Sequence, residues 1–102
     1  MLYKVEYNPE VKEDLLKISL PVLQEVADYF KKYESEPLKY SSKLYDYGNI
    51  NLEGYRKTYV ANATYRIVIK VENNVTKVVE VVAVGKRENK EIYIEAFNRI
   101  KK

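Results

Sequence analysis

YRIVIKVENNVTKVVEVVAVGKRENKEIY, residues 65–93, decides the fold. Tyr65, Ile67, Ile69 and Val71 alternate with Arg66, Val68 and Lys70, the period-two pattern of a strand with one buried face. Glu72–Asn73–Asn74 reads as a hairpin turn, because asparagine tolerates the positive φ such turns need. Val75 to Val84 is a second strand, apolar on both faces and therefore central in its sheet. Gly85 breaks that strand. Lys86–Arg87 and Glu88–Asn89 then lead into a helix with Ile92, Ala96, Phe97 and Ile100 along one side. Tyr93 rides on its first turns, six residues after Arg87.

The period of two extends upstream. Tyr55, Lys57 and Tyr59 alternate with Arg56, Thr58 and Val60, and Ala61–Asn62–Ala63 reads as the turn that joins this strand to the next. Residues 34–52 are harder to place. Pro37, Ser41, Ser42, Gly48, Asn49 and Asn51 are loop-forming types, and so long a connection holds either a short helix or function. Lys39 and Lys43 are single lysines there, within reach of a phosphate or merely solvated.

The first residues, Leu2 to Tyr7, form a strand by alternation. Asn8–Pro9–Glu10 supplies an N-cap, a proline for the first helical position and an acid near the positive helix end. Val11, Leu15 and Ile18 follow at helical spacing. Ser19 and Pro21 start a second helix, striped by Val22 or Leu23, Val26, Phe30 and Tyr33. The order β-α-α-β-β-β-α predicts an α+β fold: a mostly antiparallel sheet with an N-terminal helical hairpin and a C-terminal helix packed on it. One domain spanning residues 1–102 is expected.

Composition excludes several chemistries. The chain has no cysteine and no histidine, so disulfides, thiolate metal sites and the commonest general base are absent. No metal site, cofactor or small-molecule cofactor pocket is expected. Leu2 to Tyr7 is no signal peptide, and no run approaches a membrane span, so the expected compartment is the cytoplasm. The net charge of +3 is uneven: residues 1–53 hold 7 Lys/Arg against 10 Asp/Glu, and residues 54–102 hold 11 against 5. A basic half fits a polyanionic partner or a solvated sheet edge. Glu10, Glu13, Asp14, Glu25 and Asp28 make the helical hairpin acidic and unsuited to nucleic acid. The 11 tyrosines suit base stacking or strand packing.

Chemistry concentrates at the strand-to-helix corner. Arg66 projects from the face opposite Ile67, and Arg87 follows the glycine that ends the neighbouring strand, so the two guanidiniums can converge. A guanidinium clamps phosphate with a planar fork and keeps its proton. Two of them stabilise the charge of a phosphodiester transition state, with Lys86 and Lys90 at the same corner to hold RNA. Tyr93 brings a phenol whose pKa nearby cations lower. Each residue has a plain alternative. Arg66 can pair with Glu80 or Glu72, Lys86–Arg87–Glu88 can be a solvated corner, and Tyr93 can edge the core beside Phe97 and Ile100. With no metal cage, phosphate loop or Ser–His pair, phosphodiester cleavage would need the substrate's own 2′-OH as nucleophile, which makes RNA the substrate.

TYRIVIKV and then VVEVVAVGKRENKEIYIEAFNRI resemble the C-terminal half of the RelE toxins of the RelE/ParE superfamily. The GKRE step, the tyrosine six residues after its arginine and the closing Glu95-Ala96-x-x-Arg99-Ile100 carry the likeness in combination. The resemblance implies a type II toxin: a metal-independent endoribonuclease that enters the ribosomal A site and cuts mRNA. It also implies a cognate antitoxin, with ribosome and mRNA as the other partners. Arg66 and Arg87 match the family's phosphate-stabilising arginines, and Tyr93 its active-site tyrosine. Arg56 stands for the first member of a basic pair on the preceding strand. The second member, a lysine general base, falls on Thr58. Lys57, a candidate RNA-binding residue, is adjacent and points to the other face of a regular strand: either a bulge or shifted register brings it round, or the Tyr93 phenolate does the work, or cleavage is weak. Two further readings stand beside this one: a ParE-like protein that poisons DNA gyrase without cutting RNA, and a non-catalytic RNA- or ribosome-binding module.

Overall fold

Among the described residues, five strands make one sheet with helices on both faces. The computed structural model describes residues 2–44, 54–73, 75–86 and 91–100. The order is β1 (Lys4–Tyr7), α1 (Val11–Leu16), α2 (Leu20–Tyr33), β2 (Ser42–Lys43), β3 (Tyr55–Val60), β4 (Tyr65–Asn73), β5 (Lys77–Lys86) and α3 (Glu91–Ile100). Across the sheet the strands run β1-β5-β4-β3-β2. Only β1–β5 is parallel; the other three pairings are antiparallel. The expected α+β architecture is present, with one strand more than the alternation predicts. That strand, β2, is two residues long and shows no period of its own; it exists by pairing with Arg56 and Lys57.

Helix α2 starts where Ser19, in an extended conformation, and a proline in the first turn stop the preceding chain. It buries Val26 and Tyr33 completely. Helix α1 begins later than the Asn8–Pro9 signal suggests. The Asn8 side-chain oxygen accepts the Glu10 N–H at 2.9 Å, and its carbonyl accepts the Val11 N–H at 2.9 Å. Asn8 therefore builds the turn before the helix. Both helices pack on one sheet face with Val60, Ile67, Ile69, Val79, Val81 and Val84. Helix α3 packs Ile92 and Ala96 on the other face, against Val68, Val82, Ala83 and Leu44.

A bulge divides β5 between these layers. Val68 pairs with Ala83 but Ile69 pairs with Val81, so Val82 is the extra residue. It joins Ala83 under α3. Gly85 does not end the strand: β5 runs through it to Lys86. Its role is clearance, since a Cβ there would lie 3.0 Å from the Ile92 Cδ1 atom.

The β3–β4 connection is a run of left-handed residues, Ala61 (φ 52°), Asn62 (φ 55°) and Ala63 (φ 68°). Such φ values are unusual for alanine. The Glu25 carboxylate of α2 accepts the Ala61 N–H at 3.2 and 3.3 Å, which ties the turn to the hairpin.

Strand β5 outlasts its parallel partner. The Asn8 N–H reaches the Val81 carbonyl at 2.9 Å, and β1 contributes no further. Beyond that point side chains continue the ladder. The Arg99 guanidinium donates to the Val82 carbonyl at 2.9 Å, and the Val84 N–H donates to the Asp14 carboxylate at 3.0 Å. Arg99 also binds Asp14 in two parallel bonds of 2.7 and 2.8 Å. One ion pair thus fastens α1, β5 and α3 together.

Candidate functional site

Strand β3 is regular, so its two faces are fixed by alternation. Cross-strand partners share a face, and the β3–β4 register pairs Tyr59 with Arg66, Thr58 with Ile67 and Lys57 with Val68. Ile67 packs under the hairpin and Val68 under α3. Thr58 therefore faces the hairpin, while Lys57, Tyr59 and Arg66 share the α3 side. Tyr33 donates its phenol proton to the Thr58 hydroxyl, which in turn donates to the Tyr40 carbonyl at 2.7 Å. Burial raises the Tyr33 phenol pKa well above its ordinary value, the Thr58 hydrogen bond opposing.

Arg56 shares Thr58's side of the strand, the face opposite Arg66. Its guanidinium donates to the Ser41 side chain at 2.7 Å, the Ser41 carbonyl at 2.8 Å and the Leu38 carbonyl at 3.3 Å. It anchors the segment leading into β2. No bulge is needed to bring Lys57 round, because the regular strand already puts it on Arg66's face.

Arg66 is 6 % exposed. Its guanidinium carbon lies 4.6 Å from the centroid of the Tyr59 ring, a cation–π contact, and the Lys57 ammonium lies 5.4 Å from the same centroid. Its partner across β5 is Gly85, whereas Glu80 lies opposite Lys70 and Glu72 pairs with Lys70 at 3.9 Å. Neither carboxylate considered from the sequence is opposite Arg66. Tyr55 completes the β3 face, its phenol pKa raised by burial first and by the Glu80 charge second.

Lys86 is not brought to this group. It pairs with Tyr65 on the hairpin side and lines a cavity of about 380 Å³ with Asp14, Lys17, Tyr65, Ile92 and Glu95. Arg87 and Lys90 lie outside the described residues, as does the Tyr93 side chain; the Tyr93 backbone belongs to α3. Among the described residues no group of three or more His, Cys, Asp or Glu is placed to hold a metal ion, and no helix is long and apolar enough to cross a membrane.

No protein-family model matches the sequence, and no curated protein does. Solved structures do. A free-state, arginine-substituted form of the Escherichia coli toxin RelE superposes with a TM-score of 0.72 at 22 % identity, covering 98 % of this chain and 99 % of that one. A chain of a RelBE toxin–antitoxin complex from Mycobacterium tuberculosis gives 0.66 at 23 %, covering 85 % and 100 %. One from the RelE–RelB complex of Pyrococcus horikoshii gives 0.63 at 19 %, covering 87 % and 99 %. The chain has the RelE fold.

Within that fold, two features escaped the sequence reading. Tyr59 belongs with Arg66 and Lys57. The connection read from the sequence, Ala61–Asn62–Ala63, would set residue 59 against 65; the observed turn runs one residue further, to Thr64, and sets it against 66. Arg99 was quoted only as part of a closing motif. It is 7 % exposed and is held by Asp14, by Glu95 at 3.1 Å and by Glu10 at 3.6 Å. The Asp14 hydrogen bonds chiefly raise its pKa, with burial opposing. It positions α3.

Proposed function

We propose that this chain is the toxin of a type II toxin–antitoxin pair, an endoribonuclease that cuts mRNA in the ribosomal A site and blocks translation. The observation that carries this is the RelE fold over nearly the whole chain, with Arg66 and Lys57 together on the sheet face on which α3 packs. The neighbours solved as RelBE complexes support an antitoxin partner. The ribosome and its mRNA are the other partners, and the cytoplasm is the compartment.

In the reaction proposed, the substrate's 2′-oxygen attacks the adjacent phosphorus and the bond to the 5′-oxygen breaks. The products are a 2′,3′-cyclic phosphate and a 5′-hydroxyl. Arg66 holds the non-bridging oxygens; at low exposure its charge acts through a poorly screening medium. Arg87 serves the same phosphate. Tyr93, as phenolate, takes the 2′-hydroxyl proton, and the Lys57 ammonium gives a proton to the departing 5′-oxygen. Arg56 and Thr58 have no part in this scheme.

The test is cell-free translation of one defined mRNA with the purified chain, mapping new 5′ ends with and without ribosomes. Cuts on translating ribosomes that vanish with Arg66→Ala are expected. Intact mRNA with normal protein yield would sink the reading and leave gyrase poisoning or binding without cleavage.

A further inference from the structure

The geometry points to Tyr59 as a positioning residue of this site: its ring orients the Arg66 guanidinium and the Lys57 ammonium toward the RNA backbone. The inference rests on the ribonuclease reading above and deepens it. Tyr59 stands directly across from Arg66 in the β3–β4 register and two residues beyond Lys57 on the same face. Both cations lie against one ring, at 4.6 and 5.4 Å from its centroid. Tyr59 is 44 % exposed, whereas Arg66 is 6 % exposed. It therefore flanks the guanidinium while remaining open at the surface where a nucleic acid would arrive.

The chemistry of the contact suits a phosphate site. An aromatic face attracts the cation through its quadrupole and leaves the charge in place. A guanidinium stacked on a ring keeps its N–H edge for phosphate, so a ring contact and a phosphate contact need not compete. Arginine and lysine carry long flexible stems, and holding them before substrate arrives removes an ordering cost from the transition state. The tethered left-handed turn at Ala61–Ala63, two residues on, holds Tyr59 in register with Arg66.

The test compares Tyr59→Phe with Tyr59→Leu in the full chain, by single-turnover cleavage on programmed ribosomes and by NMR of the arginine side chains. Phe keeps the ring and should cleave within about threefold of wild type. Leu removes the ring while keeping an apolar side chain and should slow the bond-breaking step about ten- to thirtyfold, as expected for the loss of cation–π contacts. The Arg66 Nε–H resonance should be ring-shifted in wild type and Tyr59→Phe and should lose that shift in Tyr59→Leu. Wild-type cleavage by Tyr59→Leu overturns the proposal. Equal losses in both variants also overturn it, because the hydroxyl would then be the acting group. If the wild type does not cleave at all, the ribonuclease reading fails. The resonance then still decides whether the ring orders Arg66, and an unshifted wild-type signal overturns that.

Discussion

Arg66 and Arg99 are buried to nearly the same degree, 6 % and 7 % exposed, yet their surroundings differ in kind. Arg99 faces three carboxylates and a carbonyl: Asp14, Glu95, Glu10 and Val82. Arg66 lies against an aromatic ring with a glycine opposite. The first arrangement neutralises the charge and turns the residue into a fastener. The second sets an aromatic face against the cation. Burial of an arginine therefore does not by itself mark function; what faces the guanidinium does.

The largest expected effect breaks the fastener. Arg99→Ala takes the guanidinium from the Asp14 carboxylate, and Asp14→Ala takes the two-bond partner from the buried Arg99; each should cost about 3–5 kcal/mol of stability in urea unfolding. The double variant should cost little more than either single, because the two act as a unit. Losses under about 1 kcal/mol would make this ion pair no stronger than a surface one and erase the contrast.

Arg66→Ala comes next and should show the reverse pattern. Cleavage should fall about 10²–10³-fold, the scale of losing one transition-state donor, while stability changes by about 1 kcal/mol. A stability loss matching that of Arg99→Ala would reclassify Arg66 as structural.

Two smaller effects probe the opposite face of β3. Thr58→Val strips the buried Tyr33 phenol of its acceptor and should cost about 1–3 kcal/mol. Cleavage per folded molecule should stay at the wild-type level; a large loss would restore position 58 to the chemistry. The last effect is a pH dependence. Tyr33 has a raised pKa in the folded chain against the ordinary 10.0. Its contribution is complete below pH 10.0 and is lost as pH rises above that value, because the unfolded chain ionises first. Alkaline urea titrations should show this slope, flattened in Tyr33→Phe.

Much of this architecture was legible. The period of two in Tyr65–Val71 gave β4 and the side on which Arg66 projects. Ser19 with Pro21 marked the restart between helices. The divisions within strands were less accessible. Alternation sorts β3 into Arg56–Thr58 and Lys57–Tyr59 sets, but only the cross-strand register says which set meets Arg66. The bulge at Val82 leaves no mark in a run of valines, since either face accepts one. Strand β2 exists only through its partner. Arg99 could not be paired from the sequence, because Asp14 lies 85 residues away and joins it through tertiary packing.

The ladder that Asp14 and Arg99 continue along β5 bears on how copies of this chain behave in a crowded solution. An apolar strand edge with free carbonyls and amides is a template on which other chains add strands and aggregate. At Val82 and Val84 the carbonyl and the amide are already occupied by the protein's own side chains. The ion pair that fastens the last helix therefore also acts as a stopper on the sheet, shielding one of its most hydrophobic strands from self-association.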